Sequence, residues 1–191
     1  MGFELILTNV ARHIQLESEE VAYFTSLLKT ESIPRKGMLL KAGELCKNIS
    51  FVCEGTVRAY YVDQEGKEAT IMFGVTDWWI TDMHCFVHQL PAMLTLEAVE
   101  KSVVMHLPKS SLDELYREVP KFERFFRIIF QNAYIREQLR TIQNLSLSAE
   151  ERYANFMKKY PQVAKQVTQK QIASYLGITP EFLSVLRKKK T

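Results

Sequence analysis

Cysteine is scarce in this chain. Cys46, Cys53 and Cys85 are three among 191 residues, odd in number and widely spaced. That disfavours a disulfide framework and points to a reducing compartment. Long apolar runs are missing too, since none approaches the roughly 20 residues that span a membrane. The opening MGFELILTNVARHIQLESEE lacks a basic n-region, and its apolar run is too short for a secretory signal. Ile6 stands where myristoylation of Gly2 wants Ser or Thr. The expectation is a cytoplasmic protein with no membrane partner. Enzyme motifs are absent as well. No glycine-rich phosphate loop, no Gly-x-Ser-x-Gly elbow and no His-x-His followed by Glu occurs. The last absence weighs against a cupin-like metal enzyme. His84, Cys85 and His88 fall within five residues, but no second cluster completes a tetrahedral set. No enzyme activity, metal or cofactor is expected.

What is present is an uneven charge. The net +3 divides sharply along the chain. Residues 151–191 carry nine Lys/Arg against Glu151 and Glu181, whereas the first 150 residues carry sixteen bases and twenty acids. A short segment at +7 behind a body at −4 favours a polyanionic partner. Apolar residues at 47% and charged residues at 25% fit a globular chain.

Hydrophobic period changes twice along the sequence. Val21, Phe24, Leu27 and Leu28 predict a helix over residues 17–31, capped by Ser18. From Ile33 to Leu107, short runs rich in β-branched and aromatic residues alternate with Gly37, Gly43, Gly55, Gly66 and Gly74. That pattern predicts an antiparallel roll or barrel, with Asp63–Lys67 as a hairpin tip. Ser110 or Ser111 can cap a short helix, and Pro120 opens a longer one to about Leu145. Along it, Phe125, Ile128, Asn132, Ile135, Leu139 and Ile142 form a coiled-coil seam with one polar position. Phe122, Phe126, Ile129 and Phe130 offer a second face to pack on the roll. Two faces on one helix suggest two partners, the roll and a second subunit. Ser148 and Glu151 form a capping box for the next helix, so the hinge falls near residues 145–148. The fold class is α+β, with a β-roll and long helix over 1–146 and a smaller unit over 147–191.

That smaller unit contains QIASYLGITPEFLSVLRKKK. Thr168 and Gln171 make a capping box, Ile172 and Leu176 give an apolar side, and Ala173 permits close helix crossing. Gly177 sits where the chain must turn left-handed. Thr179 and Pro180 then cap and start a second helix, whose Leu183 and Leu186 face inward. This order predicts a helix-turn-helix. Thr179, Pro180, Glu181, Ser184 and Val185 would lie near base edges. Thr168, Gln169, Lys170, Arg187 and Lys188 would mostly meet phosphates, and Lys189 and Lys190 would add affinity. Double-stranded DNA is the expected partner. A ligand-binding or scaffold dimer with a vestigial DNA unit is the alternative.

In this order of parts the whole chain resembles the catabolite-activator/FNR (Crp/Fnr) family of bacterial transcription regulators. Lys36-Gly37 through Gly43-Glu44, and Ile49 to Gly55 followed by Arg58, are similar to the opening strands of a cyclic-nucleotide-binding roll. Residues 172–188 are similar to the family's DNA-reading unit. The resemblance implies a homodimeric regulator with a winged-helix-like reader, and RNA polymerase as a partner if the protein activates. Two departures carry expectations. Cyclic-nucleotide binders of the family grip the phosphate with Gly-Glu and, further on, Arg followed by Ser or Thr. Here no Arg or Lys occurs from Glu68 to Glu100, while five acids do, so cyclic AMP and cyclic GMP are expected to bind poorly. An effector pocket around Arg58, Trp78, Trp79, Phe86 and Met93 would be aromatic and apolar, its ligand unspecified. The alternative is that both tryptophans are plain core. Val185 stands where many members place a guanine-reading arginine, which implies a different operator. Iron–sulfur members group cysteines near the N-terminus, and no cysteine precedes Cys46 here.

Overall fold

The computed structural model describes residues 2–188. Helices α1 (Glu4–Ala11) and α2 (Ser18–Ser26) lead in. The second is shorter than its period predicts, and Glu17 rather than Ser18 caps it, with the Glu17 amide donating to Glu20 at 2.8 Å. The reason lies downstream. Residues of β1 (Lys29–Ile33) pair along their whole length with β8 (Ser102–Pro108), and sheet pairing overrides the local helical pattern.

Between them run β2 (Met38–Leu40), β3 (Asn48–Glu54), β4 (Thr56–Val62), β5 (Glu68–Val75), β6 (Trp78–Ile80) and β7 (Thr95–Ala98). They form two four-stranded antiparallel sheets, ordered β1-β8-β3-β6 and β2-β7-β4-β5. Phe51, Val104 and Leu107 from one sheet, with Val57, Ala59 and Leu96 from the other, belong to one buried core. The predicted hairpin tip joins β4 to β5. Asp63 Oδ1 accepts the amides of Glu65 and Lys67 at 3.0 and 2.9 Å, and Gly66 takes φ +78°. A short helix, α3 (Met83–His88), interrupts the β-rich stretch where the apolar pattern predicts none.

Helix α4 (Lys109–Glu118) begins after Pro108 with no side-chain cap, so neither Ser110 nor Ser111 caps it. Helix α5 (Lys121–Ser146) follows Pro120 and runs 26 residues, about 39 Å at 1.5 Å per residue. Its first turns are embedded, with Phe122, Phe125 and Phe126 fully buried. Phe125 is therefore core and not part of an outer seam. It packs edge-on to Trp79, with ring centroids 6.0 Å apart.

The remainder is helical: α6 (Ala149–Lys159), α7 (Val163–Gln166), α8 (Gln169–Leu176) and α9 (Pro180–Lys188). Tyr153, Phe156, Val163, Ile172, Ala173, Leu176, Leu183 and Leu186 form a second core, which Phe73 of β5 and Val99 enter from the roll. No strand follows β8 among the described residues, so a β-wing does not accompany these helices there. No helix among the described residues is long and apolar enough to cross a membrane.

Candidate nucleic-acid interface

Local signals build the rear unit. Ser148 and Thr168 head α6 and α8 with reciprocal capping boxes, through Glu151 and Gln171. Thr168 Oγ1 accepts the Gln171 amide at 3.2 Å, and Gln171 Oε1 in turn accepts the Thr168 amide at 2.8 Å. Gly177 ends α8 at φ +66°, where a Cβ would be strained. Thr179 then caps α9, its Oγ1 accepting the Phe182 amide at 3.2 Å. Leu183 and Leu186 turn inward onto Ile172 and Leu176 in the shared core. Each of these contacts follows from a residue type at the spacing its cap or turn requires.

The outer surface holds the residues expected to meet DNA. Thr168, Gln169, Lys170, Thr179, Pro180, Glu181, Ser184, Val185, Arg187 and Lys188 are all exposed, clustered around the α8 start and along α9. Lys189 and Lys190 lie outside the described residues. Phe182 is exposed as well, a residue the sequence reading passed over, although it stands one helical turn before Val185.

Side chains tie this unit to the roll. Strand β5 is an edge of its sheet, so it has backbone groups to spare. Ser174 Oγ on α8 takes two of them, accepting from Thr70 N at 2.8 Å and donating to Glu68 O at 2.7 Å. Thr56 Oγ1 donates to Gln166 Oε1 at 2.9 Å. Arg140 of α5 donates to the carbonyls of Ile71 and Thr70 and lies 4.6 Å above the Tyr175 ring. Burial pushes the Tyr175 and Tyr160 hydroxyls above the usual phenol range.

The five residues expected to share an effector pocket do not surround one cavity. Trp79 is core, its Nε1 donating to Asn9 Oδ1 at 3.1 Å. Trp78 is half-buried, with the Arg136 guanidinium 4.3 Å above it. Phe86 is buried and Met93 is 53% exposed. Arg58, 3% exposed, is engaged by Glu68 at 2.8 Å and Glu97 at 3.0 Å. A different groove of about 550 Å³ runs between α1, β5–β6 and α5. Met72, Trp78, Trp79, Met83, Ile129 and Phe130 give it an apolar wall.

Beside that groove, Asp82 fills an anion nest from within. It is 2% exposed. Oδ1 accepts the Cys85 amide at 3.1 Å, and Oδ2 accepts those of Met93 and Leu94 at 2.8 and 2.9 Å. Three amides able to hold an external anion are thus occupied by the chain's own carboxylate. The sequence carried a faint signal for it, a cap-type residue three positions before Cys85. His84 and His88 point outward from α3 while Cys85 is buried among Cys46 and Glu44 backbone atoms, so the three do not converge.

Beyond its embedded start, α5 carries an uncovered stripe. Ile128 is half-buried, whereas Asn132, Ile135, Leu139 and Ile142 are exposed, and Leu145 extends the line at 85% exposure.

Residues 30–119, from β1 to α4, match the family model described as the cyclic nucleotide-binding domain. The Electron transport regulator A of Shewanella oneidensis is 26% identical over 185 residues, covering 90% of this chain and 72% of that regulator. The Fumarate and nitrate reduction regulatory protein of Vibrio cholerae is 24% identical over 183 residues, with the same coverages of 90% and 72%. Among solved structures, the c-di-GMP responsive global regulator CLP of Xanthomonas campestris superposes with a TM-score of 0.73. It is 13% identical, with 91% of each chain covered. FixK2 from Bradyrhizobium japonicum gives 0.72 at 19% identity, covering 85% of this chain and 83% of that one.

Proposed function

Because this chain belongs to the Crp/Fnr family of transcription regulators, we propose that it acts as a homodimer reading a roughly palindromic DNA site. One observation carries the reading. Every described candidate contact residue of the capped α8–α9 unit faces solvent, while the apolar residues between them hold the unit together. The uncovered stripe from Ile128 to Leu145 is the dimer seam, and it sets two α9 helices about 34 Å apart in successive major grooves. Glu181 suits a cytosine amino group, and Lys170, Arg187 and Lys188 suit phosphates. RNA polymerase is the further partner where binding activates transcription.

A gel shift with genomic fragments at two salt concentrations tests this. The three cations per subunit among the described residues, six per dimer, predict a slope of log affinity against log salt of about −5 or steeper. That is about a thousandfold loss between 50 and 200 mM salt. Binding indifferent to salt, or no binding at all, would refute the regulator and favour a scaffold or ligand-binding dimer.

The groove between α1, β5–β6 and α5 is the proposed effector site, taking an apolar or aromatic molecule rather than a cyclic nucleotide. Asp82 supports the exclusion, because it already occupies the amides beside the groove. Calorimetry with cyclic AMP and cyclic GMP should show no micromolar binding, and such binding would overturn this assignment.

A further inference from the structure

The recognition helix offers solvent two large apolar side chains that its polar contacts leave without a role. Phe182 is 43% exposed and Val185 is 49% exposed. They are one helical turn apart, so their Cβ atoms lie about 5–6 Å from each other on one face. The opposite face holds Leu183 and Leu186, both buried. Phe182 and Val185 therefore add little to the core of the unit. Their position is nonetheless fixed, because Thr179 Oγ1 accepts the Phe182 amide at 3.2 Å. Glu181, Ser184, Arg187 and Lys188 surround the pair, all exposed. A partner for this face needs apolar groups at its centre and, beside Arg187 and Lys188, anions at its rim.

The major groove of DNA supplies that combination. The thymine C5-methyl is its apolar feature, phosphates line its edges, and phenylalanine is among the side chains that meet the methyl. Three residues of helix rise about 4.5 Å, comparable to the ~3.4 Å between base pairs. The pair thus spans neighbouring bases and not one base alone. Neither side chain can hydrogen-bond to guanine or adenine, so the methyl is what they can discriminate.

We propose that Phe182 and Val185 form one apolar reader for thymine methyl groups on neighbouring base pairs, and that each half-site carries thymines there. The inference rests on the DNA-binding reading and names the chemistry that α9 selects. Each buried methyl is worth roughly threefold to fourfold in affinity.

The test begins with selection of binding sites from a random duplex pool by the full chain. Each thymine of the selected site is then replaced by deoxyuracil, which lacks only the methyl. Two replacements per half-site should weaken wild-type binding about tenfold per half-site. Phe182→Ala and Val185→Ala should each lose threefold or more on the thymine site and become indifferent to deoxyuracil at one position. Both side chains are exposed, so thermal melts of the variants should match the wild type. A selected site without neighbouring thymines, or wild-type binding blind to deoxyuracil, overturns the thymine reader while leaving DNA binding intact. Variants that keep the full deoxyuracil sensitivity overturn it too. If no sequence is enriched, the DNA-binding reading itself falls, and this inference with it.

Discussion

Truncating Asp82 to alanine should be among the costliest single changes outside the apolar core. Three backbone amides point at this carboxylate over 2.8–3.1 Å, and only 2% of the residue meets water. Alanine removes three charge-assisted bonds and leaves one buried and two part-buried donors with no acceptor. An abandoned buried donor costs about 1–3 kcal/mol. Partial entry of water into the vacated space lowers the sum, to roughly 3–5 kcal/mol. For a protein of this length each kcal/mol moves the melting temperature by about 2–4 °C, so Asp82→Ala should melt on the order of 10 °C lower. Asparagine keeps the size and one oxygen but presents an NH2 to at least one donor, so Asp82→Asn should fall between, at about 2 kcal/mol. Urea unfolding of the three proteins, followed by tryptophan fluorescence, gives the differences directly. An Asp82→Ala variant within 1 kcal/mol of the wild type would refute the claim that this residue holds α3 to residues 93–94. A variant that instead gained micromolar affinity for a cyclic nucleotide would show the nest to be a vacated phosphate site.

Ser174→Ala removes the hydroxyl that bridges Glu68 O and Thr70 N. It should cost about 1–2 kcal/mol and speed hydrogen exchange at the Thr70 amide by about tenfold, while unchanged exchange there would reject the clamp. Burial raises the Tyr160 and Tyr175 hydroxyls above their ordinary value of 10.0. Their contribution is fully present below pH 10 and is lost as pH rises through the higher folded values, because the unfolded chain gives up these protons first. Tyr175→Phe should flatten the alkaline fall in stability, and a fall of equal steepness would assign it to other groups. Leu139→Glu places charge in the exposed stripe of α5 and should shift sedimentation from dimer to monomer without lowering the melting temperature of the roll. Phe125→Ala should do the reverse, costing about 3–5 kcal/mol with assembly unchanged.

Short-range chemistry made much of this molecule legible in its sequence. Thr168 with Gln171, Ser148 with Glu151, Gly177 and the Asp63–Lys67 turn all act within five residues, and each forms as its residue types require. Illegible features depend on which surface a periodic residue meets. The period of α5 continues through Phe125, yet that side chain turns onto Trp79 because the roll covers the helix start. Arg58 reads as a cation available to a ligand, but its partners Glu68 and Glu97 stand ten and thirty-nine positions away. The same holds for Asp82, whose three donors come from two separate segments. Local spacing cannot announce a contact that only the closed roll creates.

Strand β5 shows how those long-range contacts matter to the whole. On its groove side Ile71 and Met72 border the cavity. Its Phe73 enters the core of the rear helices, and its free edge at Glu68 and Thr70 is held by Ser174. Arg140 of the long helix bonds the carbonyls of Thr70 and Ile71 and covers Tyr175 of α8. One strand therefore touches the groove, the long helix and the first helix of the reader within six residues. Packed interiors transmit displacement because they have little free volume to absorb it. A molecule that wedged β5 away from α5 would strain the Arg140 and Ser174 contacts together, since both grip the same backbone. The reader is thus attached at a strand that also borders the groove.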